Sequence, residues 1–180
     1  MAEEKKEKWL NYLAITTVLI AVCATLSTFK GGGYSTKSLM SQSKASDQWS
    51  FYQAKSMKGY MFQMQKDNFE LEKEMLSKSK ASEDIQTKFQ AKIDDYDKKI
   101  KQYEADKEQI SNEAKKFEAE KDEFKKHSTE FGFAVIFLQI SILLSSISML
   151  AKQKLVWYLS LVVGVVGVFY FFNGFFLFIS

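Results

Sequence analysis

Three long apolar runs, each free of charge, interrupt an otherwise polar chain at residues 9–29, 131–150 and 155–179. Each reaches the ~20 residues that a helix needs to cross ~30 Å of hydrocarbon. Trp9, Tyr12, Trp157 and Tyr158 sit near the ends of these runs, where interfacial aromatics gather. The pattern predicts three transmembrane helices, with the lipid bilayer as a partner. The first run is longer than the ~7–15 residue core of a signal peptide, so it is expected to remain as an anchor. Lys152-Gln153-Lys154 leaves room only for a turn between the second and third helices.

The charged stretches are a short tail at 1–8 and a middle region at 30–130. Within 83–130 the clearest pattern of the chain appears. Phe89, Tyr96, Tyr103, Ile110, Phe117, Phe124 and Phe131 recur every seven residues. Ile93, Ile100, Lys107, Ala114, Lys121 and Ser128 each follow four residues later. These are the two core series of an a/d coiled-coil stripe, the second partly polar. No glycine or proline interrupts the pattern before Gly132, so one helix is predicted from about Glu83 to Leu150. Asp94–Lys98, Asp95–Lys99, Asp97–Lys101 and Asp122–Lys126 are acid-first i,i+4 pairs that would support its solvent faces.

Residues 36–78 form the first arm, ahead of that helix in the chain. Met57, Met61, Met64, Asn68, Leu71 and Met75 make a helical stripe, widened by Phe51, Tyr52, Tyr60, Phe62, Phe69 and Leu76. That surface is too broad for one narrow seam, so the arm is expected to touch more than one neighbour. Ser77 to Ser82 reads as a polar turn, with Ser82 as N-cap and Glu83 and Asp84 at the positive end of the following helix. Gly31-Gly32-Gly33 weakens helix continuity and is expected to act as a flexible joint or a hinge. The predicted fold is therefore all-α: an integral membrane protein with a long antiparallel, coiled-coil-like helical hairpin between its first and second transmembrane helices. Its arms, about 36–78 and 83–130, would each be roughly 65–70 Å long by helix rise.

Two segments of the first arm are specific: Ala45-Ser46-Asp47-Gln48-Trp49 and Tyr52-Gln53-Ala54-Lys55. With the preceding anchor and the two closing apolar helices, they make the chain resemble the bacterial membrane family called domain of unknown function 4337, over nearly its whole length. The resemblance implies three membrane helices around a helical middle and brings no catalytic activity with it. Read from the residues alone, Trp49, Tyr52 and Ser56 share a helix face, which suits a packing cluster, because Trp and Tyr are common interface anchors.

Composition narrows the chemistry. Net charge is +3, divided as 0 in the tail, +1 in the middle and +2 in the turn, so no block offers nucleic acid a basic field. All 25 basic residues are Lys, which removes the bidentate fork that arginine offers phosphates. His127 is the sole histidine and Cys23 the sole cysteine, so a zinc site is not expected. An interfacial or solvated role suits His127. No phosphate loop, dinucleotide fingerprint or nucleophile elbow occurs. The apolar runs hold no acid or base of the kind that ion carriers use. No catalytic, cofactor or metal residue is therefore assigned, and no enzyme is expected. Proline is absent, so nothing forbids very long helices.

The leading expectation is a structural membrane protein that assembles with copies of itself into a ring or cage of hairpins. Packing between arms or between copies is assigned to Trp49, Tyr52, Met57, Met61, Met64, Phe89, Tyr96, Tyr103, Phe117 and Phe124. Packing between membrane helices is assigned to Ser160, Gly164, Gly167 and Gly174, of which Ser160, Gly167 and Gly174 repeat at seven. The alternatives are an adaptor whose hairpin docks an unidentified protein, and a pore lined by neutral polar residues. The chain is expected in a bacterial inner membrane. Lys5, Lys6, Lys8, Lys152 and Lys154 favour a cytoplasmic tail and turn, with the hairpin opposite, although Lys30, Lys37, Lys121, Lys125 and Lys126 flank the other side.

Overall fold

The computed structural model describes the backbone of residues 2–78 and 83–179, with side chains from Lys8 onward. The described residues form three α-helices and no strand: α1 (Ala2–Lys78), α2 (Glu83–Ala151) and α3 (Lys154–Phe176). Ser82, the expected cap, lies outside the described residues, whereas Ser77 and Lys78 of the expected turn belong to α1. The predicted second-arm helix is present, one residue longer than expected. By length and composition all three helices are able to cross a membrane.

The glycine triplet does not interrupt the helix: α1 runs through it, and no glycine among the described residues has a positive φ. Gly in a helix interior costs about 0.5–1 kcal/mol relative to Ala. At Gly31 that cost is offset by close packing. A Cβ there would stand 3.0 Å from Cβ of Phe131, and Ser128 Oγ donates to the Gly31 carbonyl at 3.1 Å.

The chain divides into two compact units. One is Ser41–Ala119, the paired arms of α1 and α2. Its contacts run antiparallel, from Trp49–Glu118 through Lys55–Asp106 to Lys73–Gln90. The other comprises residues up to Met40 and from Glu120 onward, and its core gathers Ile20, Ala24, Ala134 and Leu138. There Trp9 packs on Trp157 at 6.1 Å, and Lys154 Nζ lies 5.9 Å from the Trp9 ring, so the start of α1 and the α2–α3 turn share one end.

That turn is tight. Lys152 takes a left-handed φ of 52°, the Gln153 N–H donates to the Ser148 carbonyl, and Ser148 Oγ donates back to the Gln153 carbonyl at 2.8 Å. At its far end α3 stops at Phe176 rather than near 179. Leu177 adopts φ 49°, ψ 49°, and its N–H reaches the Asn173 carbonyl. The Asn173 amide then pairs with both backbone groups of Ile179, at 3.0 and 3.1 Å, supplying partners that further helix would otherwise have provided.

Candidate functional site

In the hairpin unit, the side of α1 that faces α2 is built from small residues and lysine stems. Ser41, Ala45 and Gly59 are buried there, and Gln48, Tyr52, Lys55, Phe62, Lys66, Phe69, Lys73 and Leu76 are half-buried. These positions alternate three and four residues apart, as a coiled-coil seam requires. Opposite them stands the seven-residue aromatic series of α2. Phe62 lies between Tyr96 and Tyr103, at 5.8 and 5.4 Å, and Phe69 between Phe89 and Tyr96, at 5.8 and 5.6 Å. Gly59 leaves room beside Tyr103, and Lys44 lies over Phe117 at 5.4 Å. Ile93 and Ala114 of the second series are buried.

Lysines complete this seam by placing apolar stems on rings and ammonium groups on acids. Lys55 Nζ sits 4.9 Å from the Tyr103 ring and 2.6 Å from Asp106, whose hydrogen bond holds the ammonium above its ordinary pKa. Lys66 pairs with Asp97 at 2.7 Å; the bond raises the lysine and lowers the carboxylate. Asp97 was expected to serve Lys101 on its own helix, but pairs across the seam instead. Asp95–Lys99 forms as expected at 2.7 Å, raising Lys99. Lys107, bonded to Glu104 and likewise raised, covers the Tyr52 ring at 5.5 Å. Trp49 Nε1 donates to Glu118 at 2.9 Å and meets Tyr52 edge-on at 5.5 Å.

In the apolar unit, α3 turns Ser160, Gly164, Gly167 and Gly174 inward, all buried. A Cβ on Gly164 would meet Ser141 Oγ at 2.9 Å and Ile20 Cδ1 at 3.0 Å; on Gly174 it would meet the Phe131 ring at 2.9 Å. The serines interlock. Ser141 Oγ donates to the Ser160 carbonyl at 2.6 Å, and Ser160 Oγ donates to the Trp157 carbonyl at 2.8 Å. The Ser160 hydrogen being used, Ser145 is the donor in the 3.0 Å contact between their hydroxyls.

The family model described as Domain of unknown function (DUF4337) matches residues 9–177, from Trp9 through the cap of α3. The chain belongs to this family. No curated protein and no solved structure matches it. Of the two segments that carry the resemblance, Ala45 is buried and Gln48, Trp49, Tyr52 and Lys55 are half-buried, while Ser46, Asp47, Gln53 and Ala54 are exposed.

Of the remaining residues assigned to packing, Phe89, Tyr96, Tyr103 and Phe117 lie in the arm–arm seam of this family member. Phe124 is half-buried in the other unit, beside Tyr34 at 6.2 Å. Met57, Met61 and Met64 take no part in arm packing and stand exposed, as do Leu71 and Met75. They lie about 180–200° around α1 from the seam, by 100° per residue.

One cluster escaped sequence reasoning. His127 stacks on Tyr34 at 4.5 Å and its Nδ1 lies 2.8 Å from the Gly174 carbonyl. One turn on, Glu130 accepts from Asn173 Nδ2 at 2.6 Å. His127 is thus half-buried and tied to α3 rather than simply solvated. Its partners lie more than forty residues away, beyond any local pattern. Among the described residues, no three of His, Cys, Asp and Glu come together as metal ligands would.

Proposed function

We propose that this chain is a non-enzymatic structural membrane protein that spans a bilayer three times and assembles with copies of itself through its hairpin. The observation that carries this is the open apolar face of the first arm. On a helix otherwise rich in charge, Met57, Met61, Met64, Leu71 and Met75 are all exposed while the opposite side is fully engaged. A contiguous apolar surface of that kind on a folded unit marks an interaction site. Membrane insertion is supported by the outward surface of the apolar unit, where Ile15, Val18, Leu19, Leu143, Val162 and Val165 are exposed. Such side chains suit lipid and not water. Ser141, Ser145 and Ser148 are spent on hydrogen bonds within the chain, which speaks against their lining a pore.

The test is native mass spectrometry of the full chain in lipid nanodiscs. The expected result is a discrete multimer of the 20.8 kDa chain. A strictly monomeric mass at all concentrations overturns the proposal. A stoichiometric complex with a different protein, and none with itself, selects the adaptor instead.

A further inference from the structure

We infer that the open face of the first arm is a second coiled-coil seam, and that its occupant is the same face of a second copy, parallel and in register, with Asn68 opposite Asn68. This rests on the membrane and assembly reading above. Met57, Met61, Met64, Asn68, Leu71 and Met75 are spaced four, three, four, three and four apart. That is an unbroken a/d series, with Met61, Asn68 and Met75 at a and Met57, Met64 and Leu71 at d. All six are exposed, so the described residues of the chain do not cover the series. The helix therefore carries two seams on opposite sides, one filled by α2 and one open.

The occupant follows from Asn68 and from symmetry. A single asparagine at a core a position penalises any alignment that sets it against an apolar residue, and is satisfied by its own counterpart in a parallel two-stranded coil. Copies inserted in one bilayer with one orientation are related by an axis along the membrane normal. Every residue then lies at the same depth as its counterpart, which is the register that asparagine pairing demands. A partner of different sequence would need its own matching asparagine at the same level. The flanks make a further demand. In this arrangement Asp67, at g, faces Glu72, at e, of the other copy, a like-charged pair. Contact should therefore tighten as salt rises, opposite to the behaviour of a seam held by ion pairs.

The test uses full-length protein in liposomes with Cys23→Ala as background and one cysteine added at a time. Met57→Cys, Met64→Cys and Leu71→Cys are each expected to give a disulfide-linked dimer on mild oxidation, while Gln63→Cys, exposed on another side, stays uncrosslinked. Glu72→Lys, which turns the like pair into an opposite one, is expected to raise dimer yield at low salt. Crosslinking only at Met64→Cys indicates an antiparallel contact and overturns the inference, as does equal crosslinking at Gln63→Cys. If native mass shows an oligomer and none of the three seam positions crosslinks, this contact is wrong while assembly stands. A monomeric mass removes both.

Discussion

Gly167 lies so close to Leu138 that a Cβ built on it would stand 2.7 Å from Leu138 Cγ and 3.0 Å from the Leu138 backbone nitrogen. The contact is backbone against side chain, the kind by which helices associate in lipid when dispersion and not water expulsion drives packing. Gly167→Ala must therefore displace a helix and not only a rotamer. The expected cost is about 1–3 kcal/mol, in the range of overpacked cores. Thermal unfolding in detergent checks it; an unchanged midpoint would show that α3 does not approach this closely.

Gly32 and Gly33 are the opposite case, since a Cβ on either meets nothing within 4 Å and both are helical. Converting each to Ala should stabilise the protein by about 0.5–1 kcal/mol through helix propensity. A loss of stability in the double variant would restore the hinge that the sequence suggested.

Ser160 both donates and accepts within the apolar unit. Ser160→Ala leaves Ser145 without its acceptor, at an expected cost of about 0.6–1.7 kcal/mol, the range for hydrogen bonds between membrane helices. Gly167→Ala combined with Ser160→Ala should cost less than the sum if both act by loosening the same contact of α3, which a double-variant cycle measures.

Much of this was legible in the sequence, and the reasons differ by element. The second-arm seam announced itself because large aromatics recur every seven residues, and the small face of α3 because serine and glycine share that period. The first-arm seam did not. Its inward positions include Ser41, Ala45, Lys55, Gly59 and Lys66, which score as polar or neutral. Aromatic knobs on one helix require small residues and lysine stems on the other, so the better the fit, the weaker the apolar signal on the receiving side. The methionine stripe was visible, yet it belongs to the far side of the helix. The glycine triplet reads as a break because propensity is a local quantity, whereas α1 continues through it and Gly31 packs on Phe131.

The Lys66–Asp97 pair sets a pH dependence. Asp97 is held below its ordinary value of 3.8, so its contribution is present above pH 3.8 and disappears as pH falls through the lower, folded value. Lys66 is held above 10.5, so its contribution is present below pH 10.5 and disappears as pH rises through the raised value. Both operate at neutral pH. Lys66 is half-buried and Asp97 more open, and both keep contact with solvent, so the effect is small. Asp97→Asn should shallow the acid limb of the helicity–pH curve of the full chain and leave the neutral region nearly unchanged. An identical acid limb would mean that the pair does not persist in solution.

The two sides of the first arm differ in what can satisfy them. The inner seam joins unlike halves: two copies of it would set Lys55 and Lys66 against their own kind, and two copies of the α2 series would crowd ring against ring. It is satisfied by the other arm of the same chain, whose effective concentration is millimolar or higher. The outer seam inferred above would match itself and obey mass action. Hairpin closure is thus independent of protein concentration, whereas the proposed association between chains would depend on it. If the proposed outer seam forms, dilution is expected to separate the copies and leave each hairpin shut.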